Sequence, residues 1–302
     1  MLKKSALLAL TGLAGLCAVA AHAEEAAKAA ATPDITTTGN LTFATNYVFR
    51  GLSQTNFKPA VQGTYEAAHS SGLYLGLFGS NVSWYADAWE EAAPGRNSNT
   101  FGGVTGQNVG ISNSLELDLY AGYRGKAGDF TYDLGGIYYY YPGKYEIAAN
   151  RTAFGAVKPN TGELYAAVGW QWIGAKVSYV VTDGVFGVSD ARGTYYTELN
   201  ATYPIADTGF NLIGHVGYWK FSGGMQAWTA GGRDNSVYDL TDYKLGVTKD
   251  YVGLSWGVFY TGSTADATAT VTSQADPLAV WGNRYGKNVG DNSLFLTVTK
   301  AF

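Results

Sequence analysis

Two carboxylates and one imidazole are the side chains best placed to do chemistry. Glu116 and Asp118 stand two positions apart, so on a β-strand they lie on one face, about 7 Å from each other. Such a pair can act as general acid and general base, although stacked acids on a strand face are a commoner arrangement. His215 lies in a stretch of glycine and valine, with no serine or carboxylate motif beside it. A hydrolytic site built on His215 is therefore the weaker interpretation.

A wider set of charged side chains shares one parity along the chain. It comprises Arg50, Glu66, Glu116, Asp118, Arg124, Asp133, Glu163, Lys176, Glu198, His215, Asp242 and Lys244. Facing charges of both signs on the inner wall of a barrel create a polar path for small solutes. The excess of acids over bases predicts a mild preference for cations. The same charges could instead pair with one another in a sealed interior, and both alternatives stay open.

Arg50 is the residue of this set with the most specific expected role. It stands beside Gly51, where the first predicted strand enters a long connection. An inward guanidinium there could pair with a carboxylate at a constriction or contact an anionic solute. An interior salt bridge that only fixes the connection is the plainer alternative.

Alternation of apolar residues defines the elements that must position these side chains. From Thr38 onward, apolar and other residues alternate in blocks of about 9–12, the length of a tilted membrane-crossing strand. We predict twelve strands, with the facing of residues 73–84 ambiguous. The outward face carries no charge in mid-strand, and Lys220, Lys249 and Lys300 fall at strand ends. An aromatic girdle is predicted at Tyr47, Phe49, Tyr123, Tyr140, Tyr203, Tyr218 and Tyr260.

The connections between the predicted strands alternate in length. Short links at 69–72, 125–129, 173–174, 204–209 and 249–251 alternate with long ones, including 85–112, 142–161, 221–239 and 262–291. Short periplasmic turns and long external loops produce this pattern, and it places both termini in the periplasm. A β-sandwich has no reason to show it. The sequence therefore predicts an all-β, transmembrane, antiparallel up-and-down β-barrel.

The amino-terminal residues predict export. Lys3 and Lys4 precede an apolar stretch and the small-x-small pattern Ala21-His22-Ala23, so residues 1–23 are interpreted as a signal peptide cleaved after Ala23. Residues 24–37 form a flexible lead-in, and residues 38–302 form the barrel. After cleavage no cysteine remains, and 24 acids stand against 18 bases, which argues against a nucleic-acid surface. The expected location is the outer membrane of a Gram-negative bacterium.

Several segments resemble a known family. Residues 39–41 (Gly-Asn-Leu), 46–54 (Asn-Tyr-Val-Phe-Arg-Gly-Leu-Ser-Gln) and 58–63 (Lys-Pro-Ala-Val-Gln-Gly) are similar to the amino-terminal signature of TorF-family porins, the Gcw_chp domain family. Residues 71–76, 79–82, 115–123 and 138–143 match as well. The resemblance implies a barrel in the outer membrane more than a substrate, and it supplies no catalytic residues. The final Phe302 is similar to the terminal signal read by the barrel assembly machinery, although Lys300 departs from that pattern.

A porin-like channel for passive diffusion of small hydrophilic solutes is the function these features favour. The alternatives are a sealed recognition barrel acting through long loops with Trp84, Trp89, Trp228 and Trp281, and, less favoured, an outer-membrane hydrolase. No cofactor or metal is expected. The expected partners are outer-membrane lipid, lipopolysaccharide, the assembly machinery and small solutes, and the oligomeric state is open.

Overall fold

Twelve strands close into a barrel in the computed structural model, which describes residues 34–89, 100–101, 104–105, 111–145, 157–225, 233–266, 281–283 and 285–302. The strands are β1 Ile35–Ala44, β2 Ala60–His69, β3 Leu73–Asn81, β4 Leu115–Ala127, β5 Phe130–Tyr140, β6 Thr161–Trp170, β7 Ile173–Val180, β8 Tyr195–Ile205, β9 Phe210–Lys220, β10 Leu240–Tyr251, β11 Leu254–Ser263 and β12 Ser293–Ala301. The predicted fold class and strand number are confirmed.

Each strand pairs antiparallel with its neighbours in sequence, and the first closes on the last. The closing register runs from Asn40 opposite Ala301 to Ala44 opposite Thr297. Because a closed sheet leaves no edge strand along its wall, its backbone groups are satisfied within the barrel. That closure allows such a sheet to exist in lipid.

Short and long connections lie at opposite ends of the barrel. The strands are joined at one end, here called the turn end, by residues 70–72, 128–129, 171–172, 206–209 and 252–253. The start of β1 and the end of β12 also lie there. The other end, the loop end, carries the long connections. They include the helix α1 Trp84–Trp89, the 3-10 helix Asn235–Tyr238, and strand pairs Val48–Phe49 with Leu52–Ser53, Thr100–Phe101 with Val104–Thr105, Ile111–Asn113 with Gly143–Tyr145, and Gly224–Met225 with Arg233–Asp234.

The outer face of the wall is apolar, as the alternation predicts. Leu41, Leu119, Leu199 and Val258 are among many large apolar side chains exposed in mid-strand. The ambiguous segment is settled: Leu73, Leu75 and Leu77 face outward, while Tyr74 and Phe78 are buried on the interior side. The exposed girdle aromatics are Tyr123, Tyr140, Tyr203, Tyr218 and Tyr260.

The three lysines predicted at strand ends have local partners. Lys220 donates to Asp239 over 2.6 Å, and Lys300 donates to the Gly253 carbonyl over 3.2 Å. The Nζ of Lys249 lies 4.1 Å from the centre of the Phe210 ring.

Two girdle assignments, Tyr47 and Phe49, are wrong. The prediction extended the first strand through both residues, but β1 ends at Ala44 and the chain then turns into the barrel. Tyr47 and Phe49 are only 3% and 7% exposed, inside the barrel. The apolar alternation continues past Ala44 because these residues belong to a second, short hairpin with its own buried face.

The amino-terminal assignments fall largely outside the described residues. The predicted signal peptide and the first part of the lead-in, residues 1–33, are not described. Strand β1 begins at Ile35, earlier than the expected start at residue 38. Among the described helices, none is long and apolar enough to span a membrane.

Candidate functional site

A β-hairpin inserted into the loop end of the barrel is the central feature of the interior. Val48–Phe49 pairs with Leu52–Ser53, and the two residues between them, Arg50 and Gly51, form the turn. Both turn residues have positive φ, 48° at Arg50 and 74° at Gly51. Two consecutive positive values are the mark of a type I′ turn, which normally carries Asn-Gly rather than arginine first. The sequence therefore places Arg50 at the hairpin tip in a conformation that its side chain disfavours.

The hairpin tip lies against the barrel wall at β10 and β11. A Cβ added at Gly51 would meet the Cβ of Asp242 on β10 at 2.5 Å and that of Ser263 on β11 at 2.9 Å. Only glycine therefore fits the approach of this turn to the wall. Inward facing of Arg50 was expected from the parity of the first strand, but the structure produces it through the hairpin.

Polar contacts hold the base of the hairpin. Ser53 Oγ donates to Asn46 Oδ1 over 2.7 Å, and the Tyr47 N–H donates to Thr55 Oγ1 over 3.2 Å. The backbone N–H of Ser53 donates to the Val289 carbonyl over 2.7 Å, which ties the hairpin to the connection preceding β12. The inserted segment is thus fixed at its base as well as at its tip.

The Arg50 guanidinium makes a two-pronged contact with Glu163 on β6. Nη1 and Nη2 donate to the two carboxylate oxygens over 2.8 and 2.7 Å. The two side chains are 5% and 1% exposed. Burial alone would lower the pKa of Arg50, but the facing carboxylate outweighs it and holds the pKa above its usual value. The Phe49, Tyr196 and Trp219 rings lie 4.8, 4.4 and 4.6 Å from the guanidinium carbon, within cation–π range.

Aromatic side chains fill the space around this ion pair. Phe49 packs edge-on against Tyr139, Phe186 and Trp219, with ring centres 5.4–6.2 Å apart. The cluster reaches the loops, where Trp281 packs on Trp219 at 6.2 Å. Trp84, from α1, packs against Tyr141 of the same core. The described loop tryptophans therefore pack inward. The Trp89 side chain and Trp228 lie outside the described residues.

Glu116 and Asp118 lie deep in the interior on β4, near the hairpin. The Tyr47 hydroxyl donates a hydrogen bond to Glu116 Oε1 over 2.5 Å. Within the part of the chain that the structure describes, neither carboxylate oxygen of Asp118, itself 1% exposed, has a hydrogen-bond partner. An acid and base pair needs a substrate within reach, whereas these carboxylates are enclosed by protein. The structure thus places them as stacked interior acids.

A second charged group lies toward the turn end of the same interior. Arg124 on β4 donates to Glu66 on β2 over 2.9 Å, and its Nε lies 4.0 Å from Asp133 on β5. The guanidinium carbon stands 3.8 Å from the centre of the Tyr74 ring. Arg124 keeps a partly exposed side chain, unlike Arg50. Two arginines therefore sit at different depths of one interior.

The remaining predicted residues form a band on β7 to β10. The register sets Lys176 opposite Glu198, and His215 opposite Lys244. His215 Nε2 lies 2.8 Å from Asp242 Oδ1. Its Nδ1 lies 2.7 Å from Asn200 Oδ1 and 3.6 Å from Glu198 Oε2.

Sequence reasoning named Glu198 and Asp242 but did not place them beside His215, because they come from neighbouring strands. It also missed Tyr196, whose hydroxyl donates to Asp242 over 2.8 Å and lies 3.0 Å from His215 Nε2. Alternation along one strand shows which face a residue occupies, but the register between strands decides its neighbours.

Two other kinds of site can be compared with the structure. The Gly-x-Ser-x-Gly pattern of hydrolase elbows occurs at residues 253–257, but the structure puts Ser255 in strand β11 rather than at a strand-to-helix turn. His69 ends β2, with its Nδ1 2.8 Å from Ser71 Oγ. Among the described residues, no group of three His, Cys, Asp or Glu side chains could hold a metal ion.

Comparison with known proteins identifies a family and finds solved structures with limited similarity. A search of curated proteins finds no match. Similar solved structures include the NanC porin, at 7% identity and a TM-score of 0.43 over 88% of this chain and 98% of that one. An outer membrane channel from Pseudomonas putida F1 has 14% identity and a TM-score of 0.43, over 90% of this chain and 97% of that one. LpxR from Salmonella typhimurium has 10% identity and a TM-score of 0.36, over 88% of this chain and 99% of that one. Similarity at this level assigns no substrate.

The family model described as "Bacterial protein of unknown function (Gcw_chp)" matches residues 27–302. This covers the whole barrel from β1 to β12. The chain belongs to the Gcw_chp family.

Proposed function

We propose that the protein is a narrow outer-membrane channel for passive diffusion of small hydrophilic solutes. The observation that carries the proposal is the contrast between the two faces of one closed wall. Apolar side chains cover the outside, while Glu66, Arg124, Glu198 and Lys244 lie among polar neighbours inside. A sheet with an apolar exterior is stable in lipid, and a charged interior favours water.

The inserted hairpin sets the narrowest part of the proposed path. Its tip reaches from the β1 side of the barrel to β6, β10 and β11, and the aromatic cluster packs around it. We therefore expect a low conductance. The interior acids outnumber the bases, and Glu163 is already paired with Arg50. The remaining acid excess supports a mild preference for cations.

A sealed barrel is the second candidate, and the same cluster favours it. Phe186 and Trp219 pack against Phe49 of the hairpin, and Phe221 packs on Trp219, so aromatic rings fill this part of the interior. In that case the long connections at the loop end would be the working part, as a surface for recognition. The two candidates differ in one measurable property, which is ion conduction.

Recording from refolded protein in planar bilayers tests the proposal. The channel predicts discrete current steps and, in a salt gradient, a reversal potential shifted toward that of the cation. Anion selectivity would reject the cation preference while leaving the channel standing. A silent bilayer containing folded protein would favour the sealed barrel.

The proposal includes a cellular location and a route. Export with cleavage after Ala23 and insertion with the help of the carboxy-terminal Phe302 are its steps, and resemblance to the TorF-family porins supports them. Outer-membrane lipid and lipopolysaccharide would then contact the apolar wall. Hydrolysis is not part of the proposal.

A further inference from the structure

The Arg50 side chain is held in the way a bound ligand is held. Three of its four partners belong to the barrel wall, Glu163 to β6, Tyr196 to β8 and Trp219 to β9, and the fourth, Phe49, lies on the hairpin itself. The guanidinium itself comes from a hairpin that is not part of the wall. Pocket and occupant are therefore separate structural units, joined through the connection between β1 and β2.

The chemistry of the pocket matches a guanidinium rather than a general cation. A carboxylate that accepts from two nitrogens at once needs the planar fork of a guanidinium, which an ammonium group does not provide. Aromatic faces at 4.4 and 4.6 Å stabilise a flat, weakly hydrated cation in the same place. Glu163, Tyr196 and Trp219 thus fit guanidinium compounds as a class.

The walls of the pocket have supports that do not involve Arg50. The Tyr196 hydroxyl donates a hydrogen bond to Asp242 and lies beside His215. The Tyr139 hydroxyl donates to Glu163 Oε2 over 3.4 Å. Trp219 is packed against Phe221 and Trp281. The pocket should keep its form when its occupant is removed, since these contacts remain.

The occupant is held in a strained conformation. Arg50 has a φ of 48°, which L residues other than glycine, asparagine and aspartate rarely adopt. Backbone strain of this kind persists where the surrounding contacts fix the conformation of the residue. Departure of the hairpin would relieve it and would expose the pocket to solutes inside the barrel.

We propose that Glu163, Tyr196 and Trp219 form a binding site for guanidinium-type organic cations, and that Arg50 is its built-in occupant. A soluble guanidinium compound would bind when the hairpin leaves the site. The binding itself is independent of conduction, and only its consequence for solute passage rests on the proposed channel.

Removing the side chain of Arg50 and offering a free guanidinium tests this site. We expect refolded Arg50→Ala protein to bind methylguanidinium saturably in calorimetric titration, at least tenfold more tightly than methylammonium. The wild type should show no binding at the same concentrations, since Arg50 fills the site. The double variant Arg50→Ala, Glu163→Gln should lose at least tenfold in affinity.

Three results would overturn the proposal: no saturable binding, equal affinity for methylammonium, or affinity unchanged by Glu163→Gln. If Arg50→Ala does not refold, Arg50→Gly serves instead, because glycine leaves the site empty and adopts a φ of 48° without strain. Failure of both variants to refold even with methylguanidinium present would also contradict it, since the ligand should restore the missing contacts. Binding without ion conduction would refute the channel alone, and conduction without binding would refute this site alone.

Discussion

Replacing Glu163 with glutamine removes the charge that holds Arg50 while keeping the size of the side chain. The guanidinium would stay inside the barrel, at 5% exposure, with no compensating carboxylate. Breaking a buried ion pair by removing one partner costs about 3–5 kcal/mol, because the other charge is left desolvated. Two hydrogen bonds, of 2.8 and 2.7 Å, are weakened at the same time. We therefore expect Glu163→Gln to lose about 3–5 kcal/mol of stability.

The assay is urea unfolding of the refolded protein in detergent, and the chain offers a matched control. Arg192 and Asp183 also form an ion pair, at 2.8 Å, but their side chains are 64% and 87% exposed. Exposed pairs contribute about 0–1 kcal/mol, so Asp183→Asn should change stability little. Equal effects of Glu163→Gln and Asp183→Asn would refute the reasoning, because burial would then not distinguish the two pairs.

Three further substitutions test other parts of the account. Gly51→Ala should destabilise the fold by more than about 1 kcal/mol. The control Gly128→Ala, also at positive φ but with open space around it, should cost about 1 kcal/mol or less. Equal urea midpoints for the two variants would contradict the tight approach of the hairpin to the wall. Asp118→Asn should raise the melting temperature, because it replaces a buried carboxyl group that lacks a hydrogen-bond partner with a group that never carries a charge. Glu116→Gln, which weakens an existing hydrogen bond to Tyr47, should lower it, and a loss in both would contradict this placement. Leu199→Arg, on the outer face of β8, should cost about 2–4 kcal/mol in lipid bilayers, and a neutral effect on unfolding there would argue against a lipid-facing wall.

The alternation of apolar residues was sufficient to predict the architecture. Period-two patterning and the alternation of short and long links depend on local sequence, and both survive in the structure as twelve antiparallel strands. The inward set of charged residues, apart from Arg50, follows from the same parity. Successive side chains of a strand must point to opposite faces, so this information is present in the sequence.

The inserted hairpin could not be predicted in this way. Tyr47 and Phe49 continue the alternation of β1, and nothing in that pattern shows that the strand ends at Ala44. A signal was present in Arg50-Gly51, a pair that ends in glycine and closes a two-residue turn. Asn-Gly is the pair that usually marks such turns, so arginine in the first position hid it.

The sequence also could not predict which residues contact each other across the barrel. Arg50 and Glu163 are 113 positions apart, and their contact depends on how far the hairpin reaches. The neighbours of His215 depend on the stagger between β8, β9 and β10, which parity does not specify.

The most direct test of the central proposal, that the hairpin narrows the interior of a lipid-embedded barrel, compares two proteins in planar bilayers. One has residues 48–53 replaced by a flexible glycine-serine linker, and the control has the same linker in place of the turn at 206–209. We expect a conductance several times the wild-type value for the first protein and an unchanged value for the second. Equal conductance in both, or none in either folded protein, would contradict it.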